Sequence, residues 1–438
     1  MKVCVQGLWH LGTVTASALA SVGHEVTGLD DSPRVIAGLQ QGEPPVFEPG
    51  RGELIAEQMA AGRLRFADDP AAAAREAEVL WIAHDTPVDE HDVADVDYVV
   101  GRIGQTLPHL REGCLVLISS QLPVGSVRRL ESLAASRWPA QELRFACSPE
   151  NLRLGAALKV FLSPDRIVVG IRRDADREIL ERLLHPITER LEWMSVESAE
   201  MTKHAINAFL AASVTFANEI ASLCEVVGAD AKAVERGLKS EARIGPKAYL
   251  SPGAAFAGGT LARDVEFLRA VGSRRSLASP LLGAIRVSND EHKHWTERKL
   301  VEFLGALAGR TIGVWGLTYK PGTSTLRRSL SVELCNALIA QGARLRVHDP
   351  AAEALPVAWA GAVERFDDPL GAALDVDALV VATEWPEYRR IADGAGKRLR
   401  PGQFVLDPNR YLAQWSLIPS IRYVSVGSGS TAPLGADA

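Results

Sequence analysis

The chain carries one punctuation twice, at its start and again after residue 310. At the start, KVCVQG is a short apolar run, HLGTVTASALASVG has helical spacing, and HEVTGLD is a second run closing on Asp30. Later, TIGVWGLT, SLSVELCNALIAQG and ARLRVHDP repeat the order and close on Asp349. Further strand-like runs stand at VLWIAHDTP (79–87), CLVLISSQLPVG (114–125), DALVVATEW (377–385) and GQFVLDPN (402–409). Short apolar runs alternating with helical periods predict α/β units, with helices on both faces of a parallel sheet and ligands at its carboxyl edge. The 438 residues accommodate several domains. The pattern predicts two Rossmann-like doubly wound domains joined by a long central helix. We expect boundaries at 1–196, 197–300 and 301–426, then a disordered tail over 427–438, GSGSTAPLGADA.

The first turn bears on a dinucleotide. Gly7 and Gly12 fit the outer glycines of G-x-G-x-x-G, with Trp9 at the middle one and His10 and Leu11 completing the turn. A carboxylate at Asp30 suits ribose hydroxyls and repels a 2′-phosphate, which points to NAD. The net charge of −6 argues against nucleic acid as partner. No run of about 18 apolar residues is evident, and the first residues lack a signal-peptide core, so we expect a cytoplasmic protein without a membrane span. The five cysteines are scattered and predict buried thiols, and no Cys/His spacing fits a metal site.

Glu150, in SPEN after a strand-like run, falls at the sheet's ligand edge, although surface loops also carry such charges. Helical spacing over 198–227 puts small residues in a stripe (Ala199, Thr202, Ala205, Phe209, Ala212) that suits packing against another helix. Lys203 and Asn207, at i and i+4, share one face and form a donor pair fit for a developing oxyanion, or a plain solvated stripe. His204 faces elsewhere and reads as a satisfied helix histidine. YLSPGAAFAGGTLARDVEFL (249–268) is rich in small residues before Arg263 and Asp264. The basic loop GLTYKPGTSTLRRS suits a phosphate and equally a solvated turn.

That small-residue stretch resembles the active-site segment of the UDP-glucose/GDP-mannose 6-dehydrogenases, P-G-x-G-F-G-G-S-C-F-P-K-D. Pro252, Gly253, Phe256, Gly258 and Asp264 keep the frame; Thr260 stands at the cysteine and Arg263 at the lysine. The resemblance runs over about residues 1–425. GEPPVFEPGRGEL resembles G-x-P-x-x-E-P-G-L, with Arg51 at the leucine. VLWIAHDTP resembles the strand ending T-P, which brings in Thr86. QLPVG resembles T-V-P-x-G, with Gln121 at the threonine. SPENLRLGAAL resembles N-P-E-F-L-R-E-G-x-A, with Leu154 at the second glutamate. Glu200, Lys203 and Asn207 reproduce E-x-x-K-x-x-x-N. The basic loop resembles G-x-A-F-K-P-x-T-D-D-x-R-E-S, with Ser324, Thr325 and Arg328 replacing three acids.

The resemblance implies NAD as cofactor, held by Gly7, Trp9, His10, Leu11, Gly12, Asp30, Thr86, Gln121 and Arg327. It implies a nucleotide-diphosphate sugar held by Glu150, Asn151, Leu152, Lys203, Asn207, Tyr249, Phe256, Gly258 and Lys320. Arg243 would reach it from the partner of a homodimer built on the central helix. The catalytic set it implies is Glu150, Lys203, Asn207, Thr260 and Asp264. In the family, two hydride transfers take C6 from alcohol to acid through a cysteine thioester. A threonine hydroxyl is far less acidic than a thiol and a poorer nucleophile. The expectation is therefore one two-electron oxidation, to an aldehyde or ketone. Four-electron oxidation through the aldehyde hydrate, with Glu150 as base, and a non-catalytic nucleotide-sugar binder are the alternatives.

Overall fold

The computed structural model describes residues 1–46, 48–87, 94–150, 152, 155–257 and 259–428. They form two compact units, Met1–Ile206 and Asn207–Ala438. Asn151, Leu154 and Gly258, singled out above, lie outside the described residues.

In the first unit, eight strands form one sheet: β1 (Lys2–Gln6), β2 (Glu25–Leu29), β3 (Leu64–Ala67), β4 (Val79–Ile82), β5 (Leu115–Ile118), β6 (Arg144–Cys147), β7 (Ile167–Ile171) and β8 (Leu191–Ser195). Their order, β3-β2-β1-β4-β5-β6-β7-β8, is doubly wound through β6. The parallel register runs from Val3 beside Val26 and Val79 to Ile118 beside Cys147. All four residues of both β4 and β5 are buried, as expected for strands covered on two faces. Two apolar clusters provide that cover, one around Val5, Leu19 and Trp81 and the other around Leu80, Ile103 and Leu130. The sheet departs from the parallel expectation at one place, where β6 meets β7 antiparallel through Cys147 and Gly170.

Helix α1 (His10–Ser21) follows β1 and is buried from Gly12 to Ala20. Helix α2 (Arg51–Ala60) packs beside it, and α3 (Ser126–Arg137) follows β5. Helix α4 (Val196–Val227) leads out of the first unit into the second. By length and composition alone α4 is apolar enough to cross a membrane, which the sequence reading did not anticipate. Two of its polar groups are paired inside the protein. Glu200 accepts from the Gly125 and Val127 amides at 2.8 and 3.0 Å, capping α3, and His204 donates to Leu122 O at 2.9 Å. His204 is thus the satisfied histidine expected.

The second unit holds α5 (Thr260–Arg274), α6 (Pro280–Lys293) and a six-stranded parallel sheet. Its strands are β9 (Thr311–Trp315), β10 (Arg344–His348), β11 (Val363–Arg365), β12 (Ala378–Val381), β13 (Gln403–Leu406) and β14 (Ile421–Val424), in the order β11-β10-β9-β12-β13-β14. The arrangement reproduces that of β1–β6, but helix α7 (Leu330–Ala340) begins well after β9 rather than in the next turn. Asp349 closes the intervening loop. Its Oδ2 accepts from the Leu317 and Thr318 amides at 2.6 and 2.9 Å and from Trp385 Nε1 at 3.2 Å. Its Oδ1 accepts from the Ala351 and Ala352 amides.

Gly427 and Ser428, the first two residues of the expected tail, are bonded to the protein. Gly427 donates to Glu225 at 2.8 Å and its carbonyl accepts from Ala231, while Ser428 bonds Ser425. A left-handed Gly427 (φ 70°) lets the chain turn onto α4. Residues 429–438 are outside the described residues.

Candidate active site

The dinucleotide turn is a cradle in which backbone replaces side chain. Gly7 (φ 94°) lies against His84, and a Cβ on Gly12 would fall 1.8 Å from Gly7 O. Strand β1 therefore feeds α1 with the helix amides facing the sheet's carboxyl edge, a ready seat for a diphosphate. Trp9 caps the helix without a side-chain bond and keeps its side chain half exposed. His10 bonds the buried Glu48 at 3.1 Å, and Glu48 also accepts from Gly155 and Ala157. These bonds hold Glu48 below the usual carboxylate range although burial pushes it up. Leu11 packs on the core. Asp30 accepts from Leu8 N at 2.7 Å and Ser32 N at 3.0 Å, fixing the turn while leaving further lone pairs for a ribose.

Thr86 and Gln121, both named through the resemblance, are brought together: Thr86 Oγ1 donates to Gln121 O at 2.7 Å. Glu150 follows β6 at the carboxyl edge, and Leu152 packs against the first core cluster. Lys203 is half-buried on α4, one turn before Asn207.

In the second unit, the small-residue loop is clamped by four side chains. Gly253 N donates to Asn218 Oδ1 at 2.9 Å, and Ala254 N to Asn409 Oδ1 at 2.7 Å. Asn289 bonds both N and O of Phe256 at 2.9 Å, and His292 Nε2 donates to Gly253 O at 2.8 Å. Burial lowers the His292 pKa, which keeps it the neutral donor. The sequence reading missed all four. One signal was present: Asn218 lies three turns after Asn207 on α4, and Asn289 and His292 are i and i+3 on α6.

The loop ends at Gly259, whose φ of 116° and ψ of −129° only glycine adopts readily. It launches α5 with Thr260 exposed at the first position and Asp264 fully buried. Asn207 Nδ2 donates to Asp264 Oδ2. A Cβ on Gly259 would stand 3.7 Å from Tyr319 Oη and 3.8 Å from Arg328 Nη1, so the basic loop borders the head of α5. Arg328 itself holds a left-handed φ of 61°. Lys320 is half-buried and Arg327 exposed in that loop. Arg243 and Tyr249 are exposed, Arg243 paired with Glu241 at 2.9 Å.

Three sequence profiles of one family match in order. The UDP-glucose/GDP-mannose dehydrogenase NAD binding domain covers residues 1–188, the central domain 197–291 and the UDP binding domain 313–414. The chain belongs to the UDP-glucose/GDP-mannose dehydrogenase family. It is similar to a UDP-glucose 6-dehydrogenase of Pseudomonas aeruginosa PAO1, 36% identical over 404 residues covering 89% of each chain. It is also similar to one of Rhizobium meliloti 1021, 33% identical over 435 residues covering 98% of this chain and 99% of the relative. The structure of a UDP-glucose dehydrogenase from Pyrobaculum islandicum superposes with a TM-score of 0.87 at 29% identity, over 98% of both chains. As a family member, the protein is an NAD-dependent nucleotide-sugar dehydrogenase acting on a CH–OH group. The cradle of Gly7 and Gly12 and the spare acceptors of Asp30 fit that cofactor, and Lys320 and Arg327 fall in the family's UDP binding domain.

Proposed function

We propose that this dehydrogenase oxidises the C6 hydroxyl of a nucleotide sugar once, giving an aldehyde or, on a longer-chain sugar, a ketone. The observation that carries the reading is Thr260 at the head of α5, the position that the resemblance aligns with the family's cysteine. Bound NAD supplies the hydride acceptor. Lys203 and Asn207 are the donors for the developing alkoxide, and Asp264 takes the hydroxyl proton through a water. Gly7, Trp9, His10, Leu11, Gly12, Asp30, Thr86, Gln121 and Arg327 hold the cofactor. Lys320, Phe256 and Tyr249 hold the sugar nucleotide. No step of this half-reaction needs a covalent intermediate, whereas oxidising an aldehyde further needs it captured by a nucleophile or as its hydrate. The retained Glu150 favours a second reading, four-electron oxidation through the hydrate with Glu150 as base. The test is NADH formed per sugar consumed, at limiting UDP-, GDP-, CDP- and dTDP-sugars, with product mass. One NADH and a loss of two hydrogens support the proposal; two NADH and an acid overturn it.

We further infer a cytoplasmic homodimer formed through α4. Phe209, Phe216, Leu223 and Val226 are 70%, 47%, 61% and 73% exposed, and they line one stripe at heptad spacing. The exposed Arg243 is the residue that would reach the partner's sugar site.

A further inference from the structure

Beneath the first turn of α1 lies a cation that the fold leaves incompletely bonded. Arg51 opens α2 and is fully buried. Its Nη1 donates to Thr13 Oγ1 at 2.9 Å and reaches His10 O at 3.5 Å, and Thr13 Oγ1 donates in turn to Trp9 O at 2.6 Å. Among the described residues its Nε and Nη2 have no hydrogen-bond partner. The neighbouring carboxylate, Glu48, is turned to His10 and to the amides of Gly155 and Ala157, and among the described residues no ion pair joins it to Arg51.

A buried cation with unbonded donors is costly, the attraction of Glu48 offsets part of that cost only, and a cation at a helix N-terminus opposes the helix dipole. Both penalties fall when an anion occupies that terminus. Burial also keeps the field of Arg51 unscreened by water. The diphosphate of NAD is that anion, because the free amides at the head of α1 are its seat. Trp9 stands where a glycine would allow the closest approach of backbone to diphosphate. Attraction from below offsets what that side chain removes.

We propose that Arg51 is a cofactor-affinity residue, a buried cation that attracts the NAD diphosphate through the first turn of α1 without touching it. The test uses the whole protein and reads binding and apo stability, with NADH, ADP and adenosine as probes in calorimetry. Arg51→Leu should weaken NADH and ADP roughly tenfold or more. It should leave adenosine affinity within about twofold, and leave the apo melting temperature unchanged or raised. Arg51→Lys, which keeps the charge, should restore most of the NADH affinity. The idea is overturned if NADH affinity is unchanged in Arg51→Leu, or if NADH and adenosine weaken alike. A lower apo melting temperature in Arg51→Leu, with NADH affinity unrestored by Arg51→Lys, also overturns it, since Arg51 would then be a packing residue.

Discussion

Asn207 on the central helix donates its side-chain amide to the buried carboxylate of Asp264 on α5, fixing the acid in the turn that follows Thr260. Removing that donor withdraws a bond to a charged group from a dry site. Asn207→Ala should destabilise the protein by about 2–3 kcal/mol and lower kcat by more than it raises KM. Paired melts and kcat measurements check this. A variant with native stability and native kcat would remove Asn207 from the catalytic set.

The loop clamp gives a second outcome. Asn289→Ala deletes both bonds to Phe256 and should lower stability by about 1–3 kcal/mol. Amide hydrogen exchange at Phe256 should accelerate, while that at Gly253, still bonded to Asn218, should change less. Equal acceleration at both amides would mean the loop opens as one piece.

Thr260→Cys tests the electron count. If the nucleophile alone limits the reaction, the variant should release a second NADH per sugar and produce an acid. Thr260→Ala should keep the first oxidation within about tenfold. Loss of all turnover in Thr260→Ala would give the hydroxyl a part in the first step.

Acid should weaken the fold through its histidines. Burial lowers the pKa of His24, His84, His292 and His348, that of His84 to about 4. Below about pH 6.5 the unfolded chain binds protons that these rings refuse when folded. Their contribution is therefore complete above pH 6.5 and declines as the pH falls toward the folded values. Glu200, Glu384 and Asp407, raised by burial, act in the opposite sense. Urea midpoints between pH 5 and 7.5 should rise with pH, and the rise should be shallower in His84→Leu. An unchanged slope in that variant would show that His84 does not contribute.

The central stripe predicts assembly. Phe209→Glu with Leu223→Glu should yield monomers in sedimentation, because both charges would have to be buried at the interface. A dimer in the double variant would place the interface elsewhere.

The inner strands β1, β4, β5, β9, β12 and β13 were legible because they are short apolar runs, and Asp30 and Asp349 mark where the second strand of each sheet ends; the edge strands β3, β8, β11 and β14, in which charged residues interrupt the apolar run, were not. Thr86 and Gln121 were named only through the resemblance, and the bond between them was not foreseen. The clamp was not legible: Asn409 reaches Ala254 across 155 residues, and an asparagine in DPNR has no local signature of such a bond. The antiparallel β6–β7 junction rests on a single residue pair, too little to imprint a pattern. The partly bonded head of Arg51 emerges only once α2 has packed beneath α1.

The two aspartates also predict how many cofactors one chain takes. Asp30 answers two local amides and keeps room for sugar hydroxyls. Asp349, at the matching corner of the other sheet, is saturated by backbone amides and by the Trp385 indole. One architecture used twice is thereby given two vocabularies, and a titration with NADH should saturate at one equivalent per chain.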